Sequence, residues 1–124
     1  MQDLTGTRIV SRGDVFWIAP DEARGSVPAI AHPHVIVQED VFNHSRIAMV
    51  IACALSTNLD RASEPGVVLL EDGEGGLPRR SVVIASQVSS VHKHELGDYV
   101  GTLAGSRVDQ VVAALRFLQA SFHR

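Results

Sequence analysis

"IAMVIACAL", residues 47 to 55, is a run of nine apolar residues, and how it is read decides the fold. It falls short of the roughly 18 apolar residues that a membrane-spanning helix needs. It is too uniform to show the period-2 alternation of a strand with one wet face. A central strand covered on both faces accounts for it best. Such a strand needs neighbours, and the flanking sequence supplies them. Asp14-Val15-Phe16-Trp17-Ile18 reads as a first strand, closed by Pro20 and the polar stretch Asp21 to Ser26. Residues 33 to 39 read as a second, because Val35-Ile36-Val37 is β-branched and bounded by Pro33 and Glu39-Asp40. After the polar Ser56 to Arg61 come a short strand at Gly66 to Leu70, a turn cluster at Glu71 to Gly76, and two short strands, Val82 to Ile84 and Val88 to His92.

The period then changes. Val108, Val111, Val112, Leu115, Leu118 and Phe122 recur at spacings of three and four, the stripe of an amphipathic helix over about 106–121. Ser106 is expected as its N-cap, with Asp109 as an acid in the first turn. Strands every ten or so residues followed by one helix predict a mainly β fold, a compact antiparallel sheet or small barrel, as a single domain over 1–124.

A hydrophobic share of 45% against 20% charged fits an ordinary globular chain and not a disordered one. The N-terminus lacks the basic-then-apolar order of a signal peptide, and the lone Cys53 cannot form an internal disulfide. Both predict a cytoplasmic protein without a membrane anchor. Cys53, inside the apolar run, is expected to act as a small buried hydrophobe. The net charge of −3 argues against coating nucleic acid by charge alone. It leaves room for a groove in which Arg24, Arg46, Arg61, Arg79, Arg80 and Lys93 are concentrated, or for the same residues spread over a solvated surface.

Six histidines invite a metal. His32-Pro-His34 and His92-Lys-His94 are both H-x-H, and residues i and i+2 of a strand share a face. A zinc site needs three or four ligands, and neither a cysteine pair nor an H-E-x-x-H is present, so no metal or other cofactor is expected. A G-x-S-x-G nucleophile elbow is missing. Gly73-Glu-Gly75-Gly76 lacks the lysine and following helix of a phosphate loop. One constellation survives. His32 opens the second strand, and Ser56-Thr57-Asn58 follows the end of the third. If those strands are antiparallel neighbours, the start of one lies beside the end of the other. An imidazole and two hydroxyls at one rim suit phosphodiester cleavage in RNA, where a base activates the 2′-hydroxyl, donors stabilise charge on phosphorus and an acid protonates the leaving oxygen. The plain alternative is that Ser56, Thr57 and Asn58 only terminate a strand.

Six stretches resemble the PemK/MazF toxins: "RGDVFWI" at 12–18, "RGS" at 24–26, "HVIVQEDVFN" at 34–43, "IACALST" at 51–57, "SVVIASQVSSV" at 81–91 and "GTLAGSRVDQVVAAL" at 101–115. They run in the family's order from about Arg12 to Leu118. The resemblance implies an SH3-like curled antiparallel barrel of the CcdB/PemK/MazF type with a C-terminal helix, assembled as a homodimer. It implies a growth-inhibiting toxin of a toxin–antitoxin pair, an mRNA interferase that cuts single-stranded RNA without metal and leaves 2′,3′-cyclic phosphate and 5′-hydroxyl ends. An antitoxin protein is the implied inhibitor, with operator DNA reached through it.

Carried over residue by residue, the resemblance departs from the family at one telling place. The family usually has arginine before the strand-two proline, in a pattern like T-R-P-V-L-V, and assigns it to acid catalysis and phosphate stabilisation. Here His32 occupies that position and His34 replaces an aliphatic residue. Ser56 matches the family's threonine, with Thr57 next, and Gln87 matches the glutamine of its E-Q-I pattern, although Ser86 replaces the acid. The G-S-E loop motif survives only as Gly25-Ser26-Val27. The expected catalytic set is therefore His32, Ser56 and Thr57, and the expected RNA-binding set is Arg24, Gly25, Ser26, His34, Asn58 and Gln87. Two outcomes remain open: His32 works as acid or base with Ser56 donating to the phosphate, or the site is weakened. In the second case the protein acts by binding antitoxin and operator DNA, or by gripping a protein target as the gyrase poison CcdB does.

Overall fold

The computed structural model describes residues 8–19 and 31–120. Within them the chain builds six strands: β1 Asp14–Ile18, β2 His32–Ile36, β3 Met49–Ser56, β4 Val67–Leu70, β5 Ser81–His92 and β6 Leu96–Thr102. A four-residue helix, α1 Asp40–Asn43, lies between β2 and β3, and a long one, α2 Gly105–Gln119, follows β6. The strands form one antiparallel sheet in the order β4-β5-β3-β2-β1-β6. The apolar run is indeed interior, between β5 and β2. Its covering is incomplete: Val50, Ala52, Cys53 and Leu55 are buried, but Met49 and Ile51 are exposed.

Each face of the sheet carries its own apolar cluster. On one, Val15, Val35, Cys53, Leu55, Val68 and Val83 pack under Val108 and Val111 of α2. On the other, Phe16, Ile18, Ile36, Val50, Ala52 and Val91 pack together. Cys53 lies in the first, fully buried, and burial pushes its thiol up to about 12. At neutral pH it is a protonated hydrophobe with no thiolate to offer.

Three readings of the sequence need correction. Val82 to Ile84 and Val88 to His92 belong to one strand, because β3 runs unbroken beside both. Ala54 pairs with Ile84, the next residue, Cys53, pairs with Val88, and Ala85, Ser86 and Gln87 bulge out between them. The polar pair Ser86-Gln87 thus marks a bulge and not a strand break. β6 escaped notice because Gly97, Asp98 and Gly101 dilute its β signal; pairing with β1 forms it. Finally, α2 starts at Gly105 with Ala104 as its N-cap and no capping side chain. Packing sets that start: Leu103 is buried in the core, its N–H bonds the Gly13 carbonyl at 2.9 Å, and Val108 is buried one turn on.

The sheet's two edges approach each other. A short 3-10 turn at Glu74–Gly76, downstream of β4, packs on β6 at the opposite edge. A Cβ on Gly101 would lie only 2.6 Å from the Gly75 carbonyl carbon and 2.8 Å from the Gly76 nitrogen. Arg107 at the start of α2 clamps the same turn, donating from two guanidinium nitrogens to the two Glu74 oxygens at 2.9 Å each. The sheet is therefore curled and barrel-like, with glycines where backbone meets backbone.

Candidate active site

β2 is short, and its two imidazoles lie on one side of it. His34 pairs with Phe16 on β1 and with Ala54 on β3. His32 pairs with Ile18; the β2–β3 ladder ends at His34 and Ala54, and His32 and Ser56 each lie two residues beyond that pair toward the same rim. Because strand side chains alternate, His32 and His34 share the face of Ile36, Ala54 and Ser56. The antiparallel neighbourhood expected of residues 32 and 56 is thus present, at an open rim: His32 is exposed and Ser56 half-buried.

The two histidines differ in surroundings. The His34 Nδ1 lies 2.9 Å from the His32 carbonyl oxygen, and the ring is half-buried. Burial lowers its pKa, the carbonyl bond opposes that, and the charge of His32 adds to the lowering; the result lies below the ordinary 6.5. The His32 ring forms no hydrogen bond with a described residue.

The hydroxyl side is also ordered. The Ser56 Oγ accepts a hydrogen bond from the Asn58 N–H at 3.0 Å. Its own proton stays available for an outward acceptor. Asn58 caps the following 3-10 turn, its Oδ1 accepting from the Asp60 N–H at 3.2 Å. That leaves its side-chain NH2 group for a ligand. β3 ends at Ser56, so Thr57 sits in the bend beyond it and its direction is not set by the strand. Gln87 is exposed in the β5 bulge, one strand beyond the level where His34 faces Ala54. Arg24, Gly25 and Ser26 lie outside the described residues.

Three of the basic residues are engaged by neighbours within the chain. Arg61 pairs with Glu64 at 2.8 Å and Arg80 with Glu71 at 3.1 Å. Lys93 donates to the carbonyls of Asn43 and Ser45 at 2.8 and 3.1 Å, which tethers the β2–β3 connection. The second H-x-H motif has a structural part as well. His92 caps the turn into β6, its Nδ1 accepting from the His94 N–H at 3.2 Å while Glu95 accepts from the His92 N–H at 2.9 Å. Among the described residues no group of three or more His, Cys, Asp or Glu is placed to hold a metal.

One feature of the rim went unread in the sequence. Trp17 pairs with Pro33 yet is 43% exposed, at the edge of the same stretch of β1 and β2. A strand's apolar pattern does not distinguish an aromatic facing solvent from one facing the core.

Comparison with known proteins bears on the family and the fold. A family model described as "PemK-like, MazF-like toxin of type II toxin-antitoxin system" matches residues 11–118. Endoribonuclease MazF6 of Mycobacterium tuberculosis is 35% identical over 108 residues, 87% of this chain and 95% of that protein. Endoribonuclease EndoA of Bacillus subtilis is 28% identical, over 87% of this chain and 92% of that one. Among solved structures, a mycobacterial endoribonuclease in complex with its cognate antitoxin superposes with a TM-score of 0.71 and 27% identity, covering 92% of this chain and 99% of the other. The chain belongs to the PemK-like, MazF-like toxin family of type II toxin–antitoxin systems.

Proposed function

We propose that this protein is the toxin of a toxin–antitoxin pair and an endoribonuclease that cuts single-stranded RNA without a metal ion. The observation that carries the reading is the antiparallel pairing of β2 with β3, His34 opposite Ala54, which brings the start of one strand, His32, to the same open rim as the end of the other, Ser56. That set can move protons and donate to a phosphate, which is what transphosphorylation by the RNA's own 2′-hydroxyl requires. Relatives over nearly the full length are named endoribonucleases, and one structural neighbour is bound to its antitoxin. His32 and Ser56 are the catalytic pair of this reading, with Thr57 flanking them. Asn58, Gln87, His34 and the Arg24-Gly25-Ser26 loop hold the RNA. Incubation with labelled single-stranded RNA in excess EDTA is expected to yield 2′,3′-cyclic phosphate and 5′-hydroxyl ends. RNA that stays intact while the cognate antitoxin still binds would overturn the enzyme in favour of a binding role.

The same reading includes a homodimer. Met49, Ile51 and Val88 are each about 40% exposed and neighbour one another on the α2 side of the sheet. Phe117, at 58%, adds an apolar group on α2 itself. Exposed apolar side chains grouped on the sheet in this way call for a cover. Sedimentation at micromolar concentration is expected to give a dimer, and replacing Ile51 with aspartate to shift it to monomer. A wild-type monomer would remove the dimer from the proposal.

A further inference from the structure

We infer that His34 is the general base of the RNA-cleavage step and His32 its general acid, so that this chain works through a two-histidine relay on one strand. The inference rests on the endoribonuclease reading and gives that site a second catalytic imidazole. It starts from one hydrogen bond. The His34 Nδ1 is 2.9 Å from the His32 carbonyl oxygen. A carbonyl has no proton to give, so Nδ1 is the donor. Neutral His34 is thereby fixed in one tautomer, with the lone pair on Nε2.

The surroundings keep it neutral. Among the described residues, the side chains facing His34 from the adjoining strands are Phe16 and Ile18 on β1 and Ala54 and Ser56 on β3. The one carboxylate on this face of β1, Asp14 two residues before Phe16, is already held by Arg8, the Ser11 N–H and the Thr102 hydroxyl. Beyond Phe16 stands Tyr99 of β6, its ring 5.7 Å away. Arg8 lies over Tyr99 with Asp14 as its own partner at 3.4 Å. The one other titratable group on this face of β2 is His32, whose charge disfavours a second one next to it. Burial acts in the same direction and is the larger influence. His32, in contrast, is exposed at the rim.

Spacing suits the two roles. Residues i and i+2 of a strand lie about 7 Å apart on one face. An in-line displacement puts the attacking and leaving oxygens on opposite sides of phosphorus, each within about 3 Å of its proton partner. His34 Nε2 takes the 2′-hydroxyl proton as the O2′–P bond forms. The P–O5′ bond breaks, and the 5′-oxygen receives its proton from the His32 imidazolium. Ser56 donates to a non-bridging oxygen. Both imidazoles then exchange protons with water, and the cycle is closed.

The test is a pH–rate profile combined with two substrates. For wild type, kcat/KM for an RNA oligonucleotide is expected to rise through a limb below the ordinary imidazole value, as His34 loses its proton, and to fall at higher pH as His32 loses its own. His34→Asn keeps an N–H donor where Nδ1 was but has no Nε2. It should lower kcat/KM by about 10²-fold and abolish the acidic limb, with unchanged thermal unfolding. The second substrate carries sulfur in place of the 5′-oxygen, whose thiolate leaves without a proton. It should restore most of the activity of His32→Ala and none of that of His34→Asn. A wild-type profile without the acidic limb overturns the assignment, as does a His34→Asn enzyme that keeps that limb or recovers on the sulfur substrate. A wild type that cleaves neither substrate overturns the endoribonuclease reading itself, and this assignment with it.

Discussion

His32→Ala is expected to reduce RNA cleavage by about 10²-fold or more, the usual scale for losing a general acid, while binding of uncleaved RNA changes far less. The separation follows from where the side chain sits. It is exposed, and its ring bonds to no described residue, so its removal leaves intact the backbone pairing of β2, with β1 from His32 onward and with β3 from His34 onward. What is lost is a proton donor at the rim that Ser56 shares. His32→Arg is the sharper companion. A guanidinium keeps its proton throughout the working range, so it can stabilise the phosphate but cannot titrate. The alkaline limb of the profile should disappear in this variant, and affinity for RNA should stay at least as high. Cleavage by His32→Ala at the wild-type rate, with the same pH profile, would falsify any chemical role for the imidazole and leave Ser56 and Thr57 to account for the site.

The strand neighbourhood of the candidate site is legible in the sequence, for a physical reason. Hydrophobic runs are long-range signals: nine apolar residues at 47–55 demand cover on both faces, which forces β3 inside the sheet and β2 beside it. Once that pairing is granted, the presence of His32 and Ser56 at one rim follows, because the start of one antiparallel strand lies beside the end of its neighbour. What resisted reading was whatever depends on a partner. β6 is a strand because β1 offers it a ladder, not because Leu96-Gly-Asp-Tyr-Val-Gly-Thr prefers one. The bulge at 85–87 exists because β3 continues past it. The tautomer of His34 depends on a single contact with a backbone carbonyl, which no side-chain pattern encodes. Local propensity misled at the helix start, where Ser106 looked like a cap and the packing of Leu103 and Val108 moved the first turn to Gly105.

The curl of the sheet rests on a contact narrow enough to test with one methyl group. Gly76 has φ of +75°, and a Cβ there would lie 2.9 Å from the Val100 carbonyl carbon and 3.2 Å from the Gly101 Cα. Both neighbours are backbone of β6 and cannot swing aside as a side chain would. Gly76→Ala therefore combines the left-handed strain of an L-residue with forced separation of the turn from the edge strand. Together these should cost about 2–4 kcal/mol, lowering the melting temperature by on the order of 10 °C. Gly73 provides the control within the same turn. Its φ is +85°, equally left-handed, but nothing lies within 4 Å of the Cβ it would acquire. Gly73→Ala should show the backbone strain alone, about 1–2 kcal/mol. The difference between the two variants measures what the contact between the turn and β6 contributes to closing the sheet. Equal losses, read from urea unfolding of both, would mean that the edges are not joined there and that the curl is maintained by the packing of α2 alone.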